Sequence, residues 1–160
     1  MRTFILFIAL AALSLSLGTA QAQPGANVNI LSQPIWGPTG YDHVEYYYFP
    51  DIEAYYSVPK ARYYVLDGDR WVARKRLPAR FADFNVNTSY KAVVNAPTPY
   101  LHHPTYRDQY AGMKGRRDQQ MIRDSRDDRY VAIKGHPGHR GWLKQRKHDN
   151  GIGGGRAKKH

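Results

Sequence analysis

The side chains able to do chemistry in this chain are histidines, carboxylates, a large set of cations and many tyrosines. There is no cysteine, which removes disulfides, thiolate metal sites and a thiol nucleophile. His102-His103, His136 and His139 (bracketing Pro137-Gly138), His148 and His160 are the possible metal ligands, with His136, His139 and His148 the candidates for a site, since imidazole binds zinc, copper or nickel. A firm site takes three or four fixed donors, and no acidic partner stands at a recognisable spacing. Weak adventitious binding is therefore the expectation, and periplasmic metal handling by these histidines is the alternative function. Asp51 and Glu53, two apart on a turn, could face the same way as paired carboxylates, although Asp51 also suits a simple turn former. The Asp124–Asp128 group has no partner base in its local sequence. The chain has no Gly-x-Ser-x-Gly elbow, no His-Glu-x-x-His and no phosphate-cradling glycine loop. A non-enzymatic protein without a cofactor is expected. A cell-wall hydrolase with a site assembled from distant residues is a third reading.

The cations are unevenly spread. Residues 23–100 hold 8 Lys/Arg against 7 Asp/Glu, and residues 101–160 hold 15 against 6, a net +9. Arg74, Lys75, Arg76 and Arg80 form one basic group, and Lys144, Arg146, Lys147, Arg156, Lys158 and Lys159 another. Both could hold anionic polymers such as acidic polysaccharide or lipopolysaccharide by counterion release. The plainer reading is a solvated basic tail. No nucleic-acid-binding motif is visible, so sequence-specific recognition of nucleic acid is not expected.

The tyrosines set the architecture. Residues 45–72, "EYYYFPDIEAYYSVPKARYYVLDGDRWV", repeat an aromatic cluster every seven to nine residues, each followed by a turn signal. Pro50 and Pro59 suit β-turns, and Asp67-Gly68 suits a two-residue hairpin. Aromatic and β-branched residues favour strands. The spacing predicts a four-stranded antiparallel meander over about 44–49, 53–58, 62–66 and 70–75, a short helical turn near Leu77-Pro78, and a fifth strand within 89–97. The class is mainly β with little helix. Alternation places Tyr46 and Tyr48 on one face and Tyr47 and Phe49 on the other; Tyr55 likewise opposes Tyr56, and Tyr63 opposes Tyr64. Either both faces are covered, or one stays exposed; the candidates for an aromatic platform for sugars, peptides or a partner strand are Tyr46, Tyr47, Tyr48, Tyr55, Tyr56, Tyr63, Tyr64 and Trp71, according to which face that is.

The ends suggest the compartment. Arg2 precedes an apolar run at Phe4–Leu17, and Ala20-Gln21-Ala22 fits small-x-small cleavage. Residues 1–22 read as a cleaved export signal, whose 14-residue apolar run is too short to span a bilayer as a helix. No transmembrane segment is expected in the mature chain, and the location is periplasmic or extracellular. The rest divides into an irregular Gly/Pro-rich lead-in (23–40), a tyrosine-rich β body (41–104), a weakly structured charged segment (105–134) and a Gly/His/Lys/Arg tail (135–160). The tail holds too little apolar surface to offset the cost of ordering it, and disorder is expected there.

The segments "WGPTGYDHVEYYYFPDIEAYYSV", "GDRW" and "LPARF" resemble a group of small secreted bacterial proteins of Bacteroidetes type. These share a YYYxPDxxxYY meander ending in Gly-x-x-Trp, over about residues 34–104. The resemblance implies an envelope location and a compact β body, and brings no activity, cofactor or catalytic residue. The expectation is an exported envelope protein, a binding or structural module combining an aromatic β surface with a basic tail.

Overall fold

A computed structural model describes residues 28–152 of the chain. The expected export signal, and Arg156, Lys158 and Lys159, lie outside the described residues. Five strands form one antiparallel sheet: β1 (Tyr46–Phe49), β2 (Ala54–Ser57), β3 (Arg62–Asp67), β4 (Arg70–Arg74) and β5 (Ala92–Val94). Their order is β4-β3-β2-β1-β5, so the meander is continuous and β5 returns to pair with β1. The helices are α1 (His103–Gln109), α2 (Asp128–Val131) and α3 (His139–Ile152), with short 3₁₀ turns between. The fold is mainly β, as the aromatic rhythm implies. Among the described residues no helix is long and apolar enough to cross a membrane.

The turns follow local backbone chemistry. Phe49 pairs with Ala54 and Ser57 with Arg62, so both of the first hairpins carry four-residue loops. Each loop ends on a left-handed residue, Glu53 or Ala61, both at φ 49°. The β3–β4 turn sits one residue later than the dipeptide Asp67-Gly68 suggests. Asp67 pairs with Arg70, so Gly68 and Asp69 form the loop. Only Gly68 has positive φ (62°), which is what a turn with glycine at its first central position needs. Asp67 stays extended in the ladder.

Both faces of the sheet are covered. On one, Tyr47, Phe49, Ala54 and Val65 meet Trp36 from the lead-in and Leu77, Phe81, Phe84 and Val86 from the β4–β5 connection. On the other, Tyr46, Tyr48, Tyr55 and Tyr64 meet Tyr100, Tyr106 and Tyr110. This second cover runs past residue 104, so α1 belongs to the body and the division expected there cuts through it. Residues 105–134 are more ordered than their charge suggests: Ile122, Tyr130 and Ile133 form a third buried cluster against Ile30 and Ile35. The lead-in is pinned by two amides. Asn29 exchanges hydrogen bonds with the Val44 backbone at 2.7 and 2.9 Å, and the Gln33 amide donates to Tyr41 O at 2.9 Å.

The basic tail also differs from expectation. Residues 139–152 are helical rather than disordered. Apolar burial does not drive this. Trp142 lies half-buried against α2, the Arg146 guanidinium lies over the Trp142 ring at 5.0 Å, and the His139 ring stacks on Trp142 with centroids 5.7 Å apart. Lys, Arg and Gln are also good helix formers, which a reading based on hydrophobicity alone passes over.

Candidate functional site

The aromatic platform is the first candidate to be revised. Tyr46, Tyr47, Tyr48, Tyr55 and Tyr64 are buried, and Tyr56, Tyr63 and Trp71 are half-buried against them. These rings form the core, because two covering layers each supply aromatic partners. Tyr64 stacks on Tyr100 with centroids 4.4 Å apart, and Trp36 meets Tyr47 and Tyr56 edge-on at 5.4 and 4.9 Å. Burial raises the phenols of Tyr47, Tyr48 and Tyr55 well above the ordinary tyrosine range and that of Tyr63 to about 12. None of them ionises near neutral pH.

Under the second face lies a chain of polar contacts that the sequence does not announce. Tyr55 Oη lies 3.1 Å from His103 Nδ1. His103 Nε2 lies 3.4 Å from Glu53 Oε2, and Lys114 Nζ donates to Glu53 Oε1 at 2.7 Å. The Lys114 hydrogen bond holds the Glu53 carboxyl below its usual range. An ionised carboxylate only accepts, so Nε2 carries the ring proton and Nδ1 accepts from the Tyr55 hydroxyl. The left-handed backbone at Glu53 aims its side chain back toward α1. Tyr55 is fully buried, so a substrate cannot reach its hydroxyl. The arrangement satisfies a buried phenol and clamps α1 to the β1–β2 hairpin. Asp51 and Glu53 do not form a carboxylate pair. Asp51 accepts from Gly115 N at 2.8 Å and pairs with Arg117 at 2.9 Å, while Glu53 turns to His103 and Lys114.

Lys91 was also hidden in the sequence. Its side chain is 1% exposed. Nζ donates to Ser89 O at 2.6 Å, meets Met121 Sδ at 3.4 Å and lies 6.0 Å from the Trp36 ring. Loss of hydration, reinforced by the Arg117 charge and partly opposed by Asp51, brings the ammonium down to about pKa 7.

Among the described residues the histidines do not assemble a metal centre. His136 is buried; its Nδ1 accepts from Gly138 N at 3.0 Å and its Nε2 lies 3.1 Å from Ile122 O. Both ring nitrogens are engaged, so His136 is a folding contact rather than a ligand. His139 Nδ1 donates to Val131 O at 3.1 Å, and His148 is exposed on α3. Among the described residues no group of three or more His, Cys, Asp or Glu converges as metal ligands.

The basic residues fall into three places. Arg74 and Arg80 converge on Asp67 at 3.2 and 4.0 Å, with Lys75 and Arg76 exposed beside them. A cleft of about 520 Å³ is lined by Arg80, Lys114 and Arg117 around Ile52, Phe81 and Phe84. There Lys114 and Arg117 already hold the carboxylates of Glu53 and Asp51. The third place is α3. Trp142, Gln145, Arg146 and Asp149 line a second cleft of about 520 Å³ against Asp128, Arg129 and Ala132. Arg140, Leu143, Lys144 and Lys147 sit at i, i+3, i+4 and i+7, a single helical stripe on the other side. All four are exposed, Leu143 at 43%. Among the described residues Arg140, Lys144 and Lys147 have no carboxylate within ion-pair distance. Arg146, grouped with them by sequence, faces Trp142 instead. Arg140 completes the stripe and was not among the sequence candidates; helical periodicity would have found it had a helix been expected.

Comparison of the chain with known protein families, curated proteins and solved structures finds no match.

Proposed function

We propose that this is an exported, non-enzymatic envelope protein that binds anionic polymers such as acidic polysaccharide or lipopolysaccharide, with a rigid tyrosine-cored β body presenting the cationic face of α3. The observation that carries this reading is the α3 stripe: three exposed cations on one helical face, none neutralised within the described residues, around one exposed leucine. The cations of the Arg80 cleft support it less, because two of their charges are already answered. An unpaired cationic face draws a polyanion by releasing its counterions, so binding weakens steeply with salt.

The test is a full-length R140Q/K144Q/K147Q variant, compared with the parent on immobilised acidic polysaccharide and lipopolysaccharide across a salt series. The variant should elute at lower salt, with a shallower dependence of log affinity on log salt. Equal elution of both proteins would sink the proposal.

A further inference from the structure

The two edges of the sheet are not alike. At β5, a three-residue strand, the Gln119 side chain sits where a neighbouring strand would. Its Oε1 accepts from Lys91 N and its Nε2 donates to Lys91 O, both at 3.0 Å. Among the described residues the β4 edge has no such plug. A two-residue hairpin closes on a hydrogen-bonded pair, here Asp67 and Arg70, and hydrogen-bonded and non-hydrogen-bonded pairs then alternate. Arg70, Val72 and Arg74 therefore turn their N–H and C=O groups inward to β3. Trp71 and Ala73 turn theirs outward, and among the described residues neither edge group has a hydrogen-bond partner. An open edge of this kind is a template for one more strand.

The side chains say which strand. Arg70, Val72 and Arg74 share one face of β4, and Trp71 and Ala73 share the other, with Leu66 beside Trp71 and 42% exposed. A second copy of β4 running antiparallel would set Arg70 opposite Arg74 at both ends, which is destabilising. Five exposed cations (Arg70, Arg74, Lys75, Arg76 and Arg80) stand here against three carboxylates, Asp67, Asp69 and Asp83, with Arg74 and Arg80 both turned to Asp67, so the edge keeps a positive excess. We infer that the β4 edge binds an extended acidic segment of another protein by strand addition. Two acidic residues four apart would meet Arg70 and Arg74, and the three between them would be apolar to pack along Trp71, Val72 and Ala73. Main-chain bonds to Trp71 and Ala73 supply affinity, and the two arginines select the sequence.

The experiment titrates isotope-labelled full-length protein with acetyl-Glu-Tyr-Val-Val-Glu-amide and with its counterpart carrying Lys for both Glu. Amide hydrogen exchange is read residue by residue. The acidic peptide should slow exchange at Trp71 and Ala73, while Val72, already in the ladder, changes little. The Lys peptide should bind at least tenfold more weakly. Ala73→Pro removes an outward N–H without touching the β3 ladder, and should weaken the acidic peptide at least tenfold. It alters no charge, so its retention on anionic polysaccharide should equal the parent's. R70E/R74E keeps the backbone intact and should reverse the preference toward the Lys peptide. Absence of binding, binding indifferent to both variants, or protection of Trp71 and Ala73 by protein concentration alone would each overturn the inference, the last by making a second copy the occupant.

Discussion

Replacing Lys91 by methionine should stabilise the protein at neutral pH, although the lysine makes good contacts. Its ammonium falls from 10.5 to about 7 on folding, chiefly through lost hydration. Between those values the unfolded chain holds a proton that the folded chain does not, so stability rises with pH through the window. At 1.36 kcal/mol per unit, the cost is roughly 4 kcal/mol at pH 7, and about 2 kcal/mol of it is recovered by pH 9. Methionine has nearly the same length and no charge. It forfeits the 2.6 Å bond to Ser89 O, and leaving that carbonyl unpaired costs about 1–3 kcal/mol. A net gain of about 1–3 kcal/mol at pH 7 is expected, shrinking or reversing by pH 9. Urea unfolding at pH 7, 8 and 9, followed by circular dichroism, measures it. Above pH 10 the raised tyrosines dominate, because the unfolded chain ionises phenols that the fold keeps neutral, so the comparison stops below that point. If Lys91→Met and the parent show the same stability difference at pH 7 and pH 9, Lys91 is not the source of the slope and the argument fails.

Three further substitutions probe the backbone. At Gly37 a Cβ would lie 2.5 Å from Tyr47 Oη and 3.1 Å from Pro34 O; the tyrosine is held by Gln33, so Gly37→Ala should cost about 1–3 kcal/mol in denaturant unfolding, and an unchanged midpoint would refute the tight fit. Ala61→Gly should raise the melting temperature, because the left-handed backbone at φ 49° disfavours any Cβ by about 1–2 kcal/mol, less about 0.4–1 kcal/mol for the freer unfolded chain; Glu53→Gly has the same φ to relieve but should lower it, since it also loses His103 and Lys114.

The legible and illegible parts of this fold separate by the range of the interaction. Strand positions follow from alternation and from Pro50, Pro59 and Gly68, all local signals. The division of Tyr46 and Tyr48 from Tyr47 and Phe49 onto opposite faces was also readable. Which segments cover each face was not, because Tyr106 and Tyr110 come from a stretch whose charges mask a few well-placed rings. The Tyr55–His103–Glu53 chain joins residues about fifty positions apart, and no spacing rule reaches that far. Lys91 is instructive, since alternation does put it on the same face as Val93 and Tyr47. A charged residue at the start of a short strand simply reads as solvent-facing. In α3 the error was one of kind: low hydrophobicity argues against a core, not against a helix whose residues favour that conformation and whose single tryptophan finds a neighbour.

The density of tyrosine answers a structural problem that phenylalanine could not solve. A five-stranded sheet without disulfides must be roofed on both sides by layers one segment thick, and such layers need fastening as well as apolar area. The phenols supply both. Tyr47 Oη donates to Gln33 at 3.0 Å and ties down the lead-in. Tyr55 Oη donates to His103 and ties down α1. Tyr130 Oη accepts from Gly40 N at 2.6 Å and joins α2 to the lead-in. Each ring is buried in one layer while its hydroxyl reaches into the next. Rings held in this way are not free to stack on a ligand. The two surfaces proposed for recognition, the unpaired cations of α3 and the open edge of β4, accordingly lie outside them.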